Sequence, residues 1–167
     1  VDNIRVWAPI LKNLLGKYNI LVRIHPKLAV IDSEIDLYLT DAGFLKDVKK
    51  GRNLGILYQS SDLVLADYGG PVLSTIYTKK KLILLNSPNK KFIRWRKERM
   101  YIDDEVRNDV DNFNINNGVS LIKKVNINIE NNDLLKRDKI KEKYFGKDCD
   151  YRFLKEVFYE LLQELHT

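Results

Sequence analysis

The strongest signal for the fold lies in residues 60–71, Ser60-Ser61-Asp62-Leu63-Val64-Leu65-Ala66-Asp67-Tyr68-Gly69-Gly70-Pro71. The short apolar run at 63–66 is typical of a strand that is covered on both faces. Gly69 and Gly70 allow a sharp turn and leave room for a ligand, and Pro71 suits the first position of a helix. We therefore predict a strand, a tight turn and a helix. The free N–H groups and the dipole of that helix favour a phosphate or diphosphate at its start.

Apolar periodicity in the rest of the chain predicts further strands and helices in alternation. Strands are predicted at 19–24, 36–40, 63–66 and 82–86, and helices at 4–15, 54–60, 71–78 and 131–144. The basic, aromatic segment 92–99 predicts one or two helical turns, 103–118 a long loop, and 119–125 either a strand or a helix. A strand, a helix and a strand in this order require parallel strands and a right-handed crossover. The prediction is an α/β fold with a doubly wound parallel sheet.

The composition fits one domain of ordinary size. The 167 residues carry a net charge of +6, which favours anionic partners such as phosphorylated substrates, nucleic acid or an anionic membrane surface. No apolar run approaches the roughly 20 residues of a membrane span, and the single cysteine excludes an internal disulfide framework. The chain starts at Val1 on a helical pattern, so we expect a piece of a longer protein. Residues 148–167 predict a C-terminal amphipathic helix.

Candidate site residues gather at the predicted carboxyl ends of the strands, where ligands bind in open α/β sheets. The N–H groups of Gly69 and Gly70 would donate to a diphosphate, at roughly 1.5–3 kcal/mol for each bond to a charged group. His25 ends the strand at 19–24, where an imidazole can donate to a phosphate oxygen or act as acid or base. A guanidinium such as that of Arg99 suits bidentate phosphate contact.

Each of these features also has a structural interpretation, which the residues alone leave open. The glycine pair would then only close a βα turn, and His25 would be bonded to a nearby carbonyl. Lys79, Lys80 and Lys81 precede their strand, at the opposite edge of the sheet, and are interpreted as surface or membrane-facing charge. No zinc-ligand spacing, nucleophilic triad or nucleic-acid-binding motif is readable, so no nucleic-acid partner is expected.

Several short segments together resemble one enzyme family. They are the strand ending in His25-Pro26, the turn at 60–70, the strand at 81–85, the segment Arg99-Met100-Tyr101-Ile102-Asp103, and residues 145–150 before the final helix. This order resembles the donor-binding half of the CDP-glycerol glycerophosphotransferases, the teichoic acid primases and polymerases. In that family a strand ends in His-Pro, a Ser-Asp-apolar-Thr-Asp-Tyr-Ser-Ser turn follows, and an Arg-Gly-Phe-Tyr-acidic segment comes later.

The resemblance implies a GT-B enzyme, in which two Rossmann-like domains flank the active-site cleft. Residues 1–167 would form its C-terminal, nucleotide-donor-binding domain, inactive without the N-terminal domain. The implied reaction is attack of an acceptor hydroxyl on the β-phosphate of CDP-glycerol, with release of CMP. The implied partners are the nucleotide-diphosphate donor, the N-terminal domain, a polymer or lipid-linked acceptor of the cell envelope, and an anionic membrane surface on the cytoplasmic side. No cofactor and no metal ion are expected.

Carried over motif by motif, the resemblance implies His25 as the catalytic residue that contacts the donor phosphates. It implies the following substrate contacts: Arg23, Pro26, Ser61, Asp67, Tyr68, Gly69, Gly70 and Arg99. The sequence departs from the family where Gly69 and Gly70 replace two serines and Ala66 replaces a threonine, so three hydroxyls are absent.

Two alternative functions follow from the same residues. The Asp-Tyr-Gly-Gly turn is similar to that of the UDP-N-acetylglucosamine 2-epimerases, which share the GT-B plan with UDP-sugar glycosyltransferases. The epimerases carry a Glu-Glu pair on the following helix, and residues 72–76 lack it. The three absent hydroxyls favour the other alternative, a non-catalytic GT-B-like interaction module.

Overall fold

The computed structural model describes residues 3–47, 53–115 and 120–147. The helices in these ranges are α1 Ile4–Leu11, α2 Pro26–Ile31, α3 Ile35–Asp41, α4 Leu54–Ser60, α5 Gly70–Tyr77, α6 Lys90–Lys97, α7 Ile102–Glu105, α8 Leu121–Glu130 and α9 Leu134–Phe145. Short 3-10 helices follow α1 at Lys12–Leu14 and α7 at Val106–Asn108. The strands are β1 Leu21–Val22, β2 Leu45–Lys46, β3 Val64–Ala66, β4 Leu82–Asn86 and β5 Asp111–Asn114.

The strands form two parallel sheets. β1 pairs with β2, and β3, β4 and β5 form a three-stranded sheet with β4 in the centre. Helices separate consecutive strands of each sheet, because parallel strands require a crossover connection. The predicted α/β class with parallel strands is therefore confirmed.

The central strand β4 shows why its sequence is apolar throughout. Ile83 and Leu85 belong to a core cluster with Trp7 of α1 and Leu121 of α8. Leu82 and Leu84 belong to a second cluster with residues of α5. Successive side chains point to opposite faces of a sheet, and helices cover both faces of this one. These four apolar residues of β4 are at most 7% exposed, as the continuous apolar run predicts.

Two predicted elements are wrong. The segment 36–40, predicted as a strand, lies within helix α3, where Ile35 and Leu39 are buried at the i, i+4 spacing of a helix. The predicted loop at 103–118 contains α7, a 3-10 helix and strand β5. In β5 only Phe113 is buried. This edge strand therefore lacks the apolar pattern by which the other strands were predicted.

The other predicted elements agree with the structure within a few residues. The predicted strand at 19–24 is reduced to the two residues of β1, and the ambiguous segment 119–125 is helical from Leu121 onward. The predicted C-terminal helix at 148–167 lies outside the described residues.

Candidate functional site

The turn between β3 and α5 has the geometry that the glycine pair predicts. Gly69 precedes α5 with φ +88° and ψ −156°, a backbone region that is essentially restricted to glycine. Gly70 is the first residue of α5, and Pro71 follows within the first turn. A Cβ added to Gly69 or Gly70 would meet no heavy atom within 4 Å. The space beside the Cα atoms of both glycines is therefore open. Position 69 requires glycine because of its backbone conformation and not because of close packing.

A carboxylate of the protein already binds the start of α5. Asp103 Oδ2, on α7, accepts a hydrogen bond of 2.8 Å from the Gly69 N–H. The same oxygen accepts from Arg96 Nη2 at 2.6 Å. Asp103 is only 4% exposed, and Arg96 is buried as well. Negative charge is stabilised at a helix N-terminus, so this turn holds an anion, and the anion comes from the chain itself.

Two guanidinium groups extend this ion-pair network. Arg96 Nε donates to both carboxylate oxygens of Asp104 at 3.0–3.1 Å. Arg107 donates to the carbonyl of Asp67 and to Asn86. Burial lowers the pKa of Arg96, but its hydrogen bonds with Asp104 and Asp103 outweigh burial and raise that pKa. Burial lowers the pKa of Arg107. The network ties α6 and α7 to the turn.

Tyr68 lies in the middle of this network. Arg107 and Arg96 stack over its ring, with guanidinium carbons 3.8 and 4.4 Å from the centroid. The ring of Phe92 meets it edge-on at 5.0 Å. Its hydroxyl accepts a 3.0 Å hydrogen bond from the N–H of Ser87. Burial raises the pKa of Tyr68, while the Ser87 bond and the Arg107 charge lower it. These contacts make Tyr68 a packing residue of the turn.

The carboxyl ends of β3 and β4 are joined by the residue that precedes α1. Asn3 donates to Asp67 Oδ2 at 3.3 Å and accepts from Ser87 Oγ at 2.9 Å. Asp67 Oδ1 also accepts from the N–H of Tyr68 at 2.7 Å. Both Asn3 and Ser87 are buried. The structure therefore brings Asp67, Tyr68, Gly69 and Gly70 together with polar residues that the sequence analysis did not select.

His25 lies at the carboxyl end of β1, as predicted, but that strand belongs to the two-stranded sheet. His25 is exposed and forms the N-cap of α2, with Nδ1 accepting from the Lys27 N–H at 3.1 Å. Pro26 is the first residue of that helix. Arg23 forms an ion pair with Asp47, which follows β2. The hydrogen bonds described above for the Gly69 turn do not include His25.

Neither Ser61 nor Arg99 takes part in the hydrogen bonds described above for the Gly69 turn. Ser61 ends α4 and precedes β3, at the amino-terminal end of the strand, and its hydroxyl donates to the Tyr58 carbonyl at 2.9 Å. Arg99 follows α6, is exposed and lies over the ring of Trp95 at 4.3 Å. Their roles as substrate contacts stay predictions that come from the resemblance alone.

The missed residues of the turn are Asn3, Ser87, Arg96, Asp103 and Arg107. Arg96 was visible in the sequence as one member of a basic segment, and Asp103 as the acidic end of the family-like segment 99–103. Neither had a signal that linked it to Gly69, which is 34 residues from Asp103 in the chain.

Open space is found at both ends of the three-stranded sheet. A shallow depression beside the carboxyl end of β4 is lined by Ser87, Pro88, Lys90, Ile93, Arg94 and Lys97. The better-formed cavity lies at the opposite end of the three-stranded sheet, beside Lys79, Lys80 and Lys81. Cationic side chains are present at both ends.

Comparisons with protein-family models, curated proteins and solved structures find no match to this chain. Within the described ranges, none of the helices is long and apolar enough to cross a membrane. The same ranges contain no group of three or more His, Cys, Asp or Glu residues that could hold a metal ion. The functional assignment therefore depends on the geometry of the turn and on the sequence motifs.

Proposed function

We propose that the chain is the nucleotide-donor-binding, Rossmann-like domain of a GT-B transferase. Its reaction is transfer of glycerol phosphate, or a similar polyol phosphate, from a CDP-linked donor to an acceptor polymer of the cell envelope. One observation carries the proposal: the backbone N–H at the start of α5 binds a carboxylate at 2.8 Å, at the carboxyl end of a parallel strand. This is the position at which α/β sheets bind the phosphates of nucleotides.

The donor diphosphate would lie in front of Gly70, where a Cβ would meet no neighbour. Asp103 already accepts from Gly69, so the phosphate oxygens would use the Gly70 N–H and the dipole of α5. The cations Lys90, Arg94 and Lys97 beside the carboxyl end of β4 add positive potential at this edge. Arg96 and Arg107 act indirectly, because they hold the turn in place.

His25 has one defined role in this proposal. Because its Nδ1 accepts from Lys27, the neutral ring carries its proton on Nε2, which is then free to donate to a phosphate oxygen. The acceptor hydroxyl attacks the β-phosphorus, the bond from that phosphorus to the bridging oxygen breaks, CMP leaves with that oxygen, and the hydroxyl proton is released to water. Positioned donors and cations stabilise the charge that develops on the phosphoryl oxygens.

Titration calorimetry with CDP-glycerol, CMP, UDP and a UDP-sugar tests the proposal. We expect a preference for cytidine ligands. A preference for uridine ligands would favour a glycosyltransferase or an epimerase instead. The matched variants are Gly70→Glu and Gly70→Gln, since position 70 has space for both side chains. The glutamate should weaken nucleotide binding by at least about tenfold through charge repulsion, and the glutamine should weaken it much less.

A second pair of variants separates the two roles of His25. Asparagine is also a good N-cap, so His25→Asn keeps the start of α2 and removes the imidazole, whereas His25→Ala removes both. If the imidazole contacts the donor, both variants lose nucleotide affinity to a similar degree. If His25 only caps α2, His25→Asn binds nucleotide like the wild type and only His25→Ala is less stable.

The contact between Asp103 and Gly69 also favours a second candidate, a non-catalytic interaction module. In that case the internal carboxylate has replaced the ligand, consistent with the absent hydroxyls at positions 66, 69 and 70. A folded protein that binds none of the four nucleotides, by calorimetry and by amide NMR shifts, would support this candidate over the transferase.

A further inference from the structure

An open cavity lies between the amino-terminal ends of β4 and β5 and the helices α5, α8 and α9. Its volume is about 570 Å³, including the part that faces solvent. Five cationic side chains line it, and they are those of Lys79, Lys80, Lys81, Lys136 and Arg137. It is at the opposite end of the strands from the Gly69 turn, so it is independent of the function proposed above.

The positive charge of this cavity is only partly neutralised by neighbouring carboxylates. Lys79 pairs with Asp138 at 2.5 Å. Lys80 donates to the backbone carbonyls at 59 and 61, and Lys81 donates to that of residue 129. Carbonyl acceptors carry no formal charge, so the charges of these two lysines persist.

The two carboxylates that line the cavity have partners of their own. Asp111 forms an ion pair with Lys124 at 3.6 Å. Asp133 caps α9 and accepts from the backbone N–H of Lys136 at 2.9 Å. A backbone N–H carries no formal charge, so the negative charge of Asp133 persists as well. The five cations still outnumber the carboxylates of Asp111, Asp133 and Asp138, and this excess of positive charge attracts an anion.

Arg137 provides the most specific observation. Its Nη2 donates to Asn132 at 3.2 Å, but its Nε is buried and has no hydrogen-bond partner among the described residues. A buried donor on a charged group without an acceptor destabilises the folded state. Arg137 lies in the first turn of the twelve-residue helix α9, whose dipole also favours negative charge there. An anionic oxygen in the cavity would pair with the guanidinium charge of Arg137, which no carboxylate of the described residues neutralises within ion-pair distance.

The walls of the cavity are apolar as well as basic. Ile76, Leu82, Val110 and Ile140 line it together with the cations. Ile76 and Leu82 are almost wholly buried, so the apolar surface that the cavity offers is that of the half-buried Val110 and Ile140. A bare inorganic ion would leave these two side chains against water, whereas a compact apolar group would cover them. A guanidinium matches the oxygens of a phosphate or carboxylate in geometry.

We infer that this cavity binds a small organic phosphate, a phosphomonoester on a compact apolar body. The phosphate oxygens accept from Arg137 and Lys136, and the apolar body packs on Val110 and Ile140. The site assigns a binding role to Lys79–Lys81, which the sequence analysis interpreted as surface charge.

Amide NMR titration with phenyl phosphate, inorganic phosphate and phenol as separate probes tests the site. We expect saturable shifts from phenyl phosphate at residues 79–82, 110–111 and 128–140. Phosphate alone and phenol alone should each bind at least about tenfold more weakly, because each lacks one half of the recognised group. Shifts from phenyl phosphate that centre elsewhere, or that do not saturate in the millimolar range, would overturn the inference.

Variants identify the groups responsible. Arg137→Gln and Lys136→Gln should each weaken phenyl phosphate binding, the first by at least about tenfold, since a hydrogen bond to a charged group is worth about 1.5–3 kcal/mol. Lys12→Gln is the control, because it removes one exposed cation that lines neither this cavity nor the depression beside β4. It should change the affinity less than about twofold, as expected for a screened surface charge. Equal losses in the Lys12 and Arg137 variants would show a non-specific charge effect and refute the site.

Discussion

The two ends of the three-stranded sheet differ in how their cationic side chains are paired with carboxylates. At the carboxyl end, the start of α5 and the buried Arg96 are both bound by Asp103, a carboxylate supplied by α7. At the amino end, the cavity has an excess of cations, and the Nε of Arg137 has no acceptor among the described residues. Arg107 Nε at the carboxyl end is likewise buried without a hydrogen-bond partner among the described residues, so the two ends differ in their carboxylates. The carboxyl end has a buried carboxylate between Arg96 and Gly69, whereas the cations of the cavity outnumber its carboxylates.

The comparison shows that the location of a site in the fold and its ability to bind a ligand are separate properties. The general rule for α/β sheets directs attention to the carboxyl ends of the strands, and the Gly69 turn is there. The rule does not say whether the chain fills that position itself. Buried charges are nearly always paired, so a cluster of cations beside open space, with fewer carboxylates than cations, indicates an anionic ligand more directly than a motif does.

The largest effect is expected from removing the internal anion. Asp103→Ala leaves the buried Arg96 with one carboxylate fewer and the Gly69 N–H without an acceptor. Breaking a buried ion pair on one side costs about 3–5 kcal/mol, and we expect a loss of this size in the free energy of unfolding, measured with urea. Glu105→Ala, an exposed position in the same helix, is the control and should change little. A loss below about 1 kcal/mol for Asp103→Ala would mean that the network does not hold the turn.

The second effect distinguishes the two glycines of the turn. Gly69→Ala forces a side chain into a glycine-only backbone region and should cost about 1–3 kcal/mol. Gly70→Ala adds a Cβ in open space at the start of a helix and should change the stability by less than about 1 kcal/mol. Thermal unfolding of both variants checks this order, and equal losses would contradict it.

A third, smaller effect is expected at the amino end. Arg137→Met keeps an aliphatic stem and removes a buried donor that has no acceptor. Replacing such a group by an apolar one is nearly neutral or stabilising, so the free energy of unfolding should change by less than about 1 kcal/mol or increase. The contrast with Asp103→Ala sharpens the comparison, and a loss as large as that of Asp103→Ala would show that the amino end is equally well satisfied.

The smallest effect concerns pH. Hydrogen bonds from Lys143 and Tyr144 lower the pKa of Asp109 below its ordinary value of 3.8. Because the pKa of Asp109 is lower in the folded state, the stabilisation from its ionised carboxylate is complete above the ordinary value of 3.8. It is lost as the pH falls through the folded-state pKa. The Asp109→Asn variant should therefore lose less stability than the wild type between pH 4 and pH 2, by up to about 1 kcal/mol. Urea unfolding at both pH values measures the difference, and identical acid losses would contradict it.

The opposite limb of the pH profile has a related cause. Burial and the hydrogen bond to Asp109 raise the pKa of Tyr144 to about 12. A raised pKa stabilises the fold below the ordinary value of 10 and ceases to do so as the pH rises through the folded-state value. Tyr144→Phe should therefore lose less stability than the wild type as the pH rises from 10 to about 12, and urea unfolding across that alkaline range tests this.

The site was predicted from the sequence only where its signals are local. Gly69 and Gly70 predict a turn because of their conformational freedom, and the four apolar residues of β4 predict a buried strand. His25 and Pro26 were interpreted as the end of a strand, and the structure adds that the imidazole caps a helix. That capping role was readable in principle, since proline favours the first position of a helix.

The sequence by itself determined the α/β class, most of the helices and strands, and the sharp turn before α5. These follow from side-chain periodicity and backbone freedom, which act between residues close in the chain. Only the tertiary structure decided that Asp103 binds Gly69, 34 residues away, and that Arg107 binds the carbonyl of Asp67, 40 residues away. Such pairings depend on how whole elements pack, because a charged side chain can satisfy many different partners and only burial selects one of them.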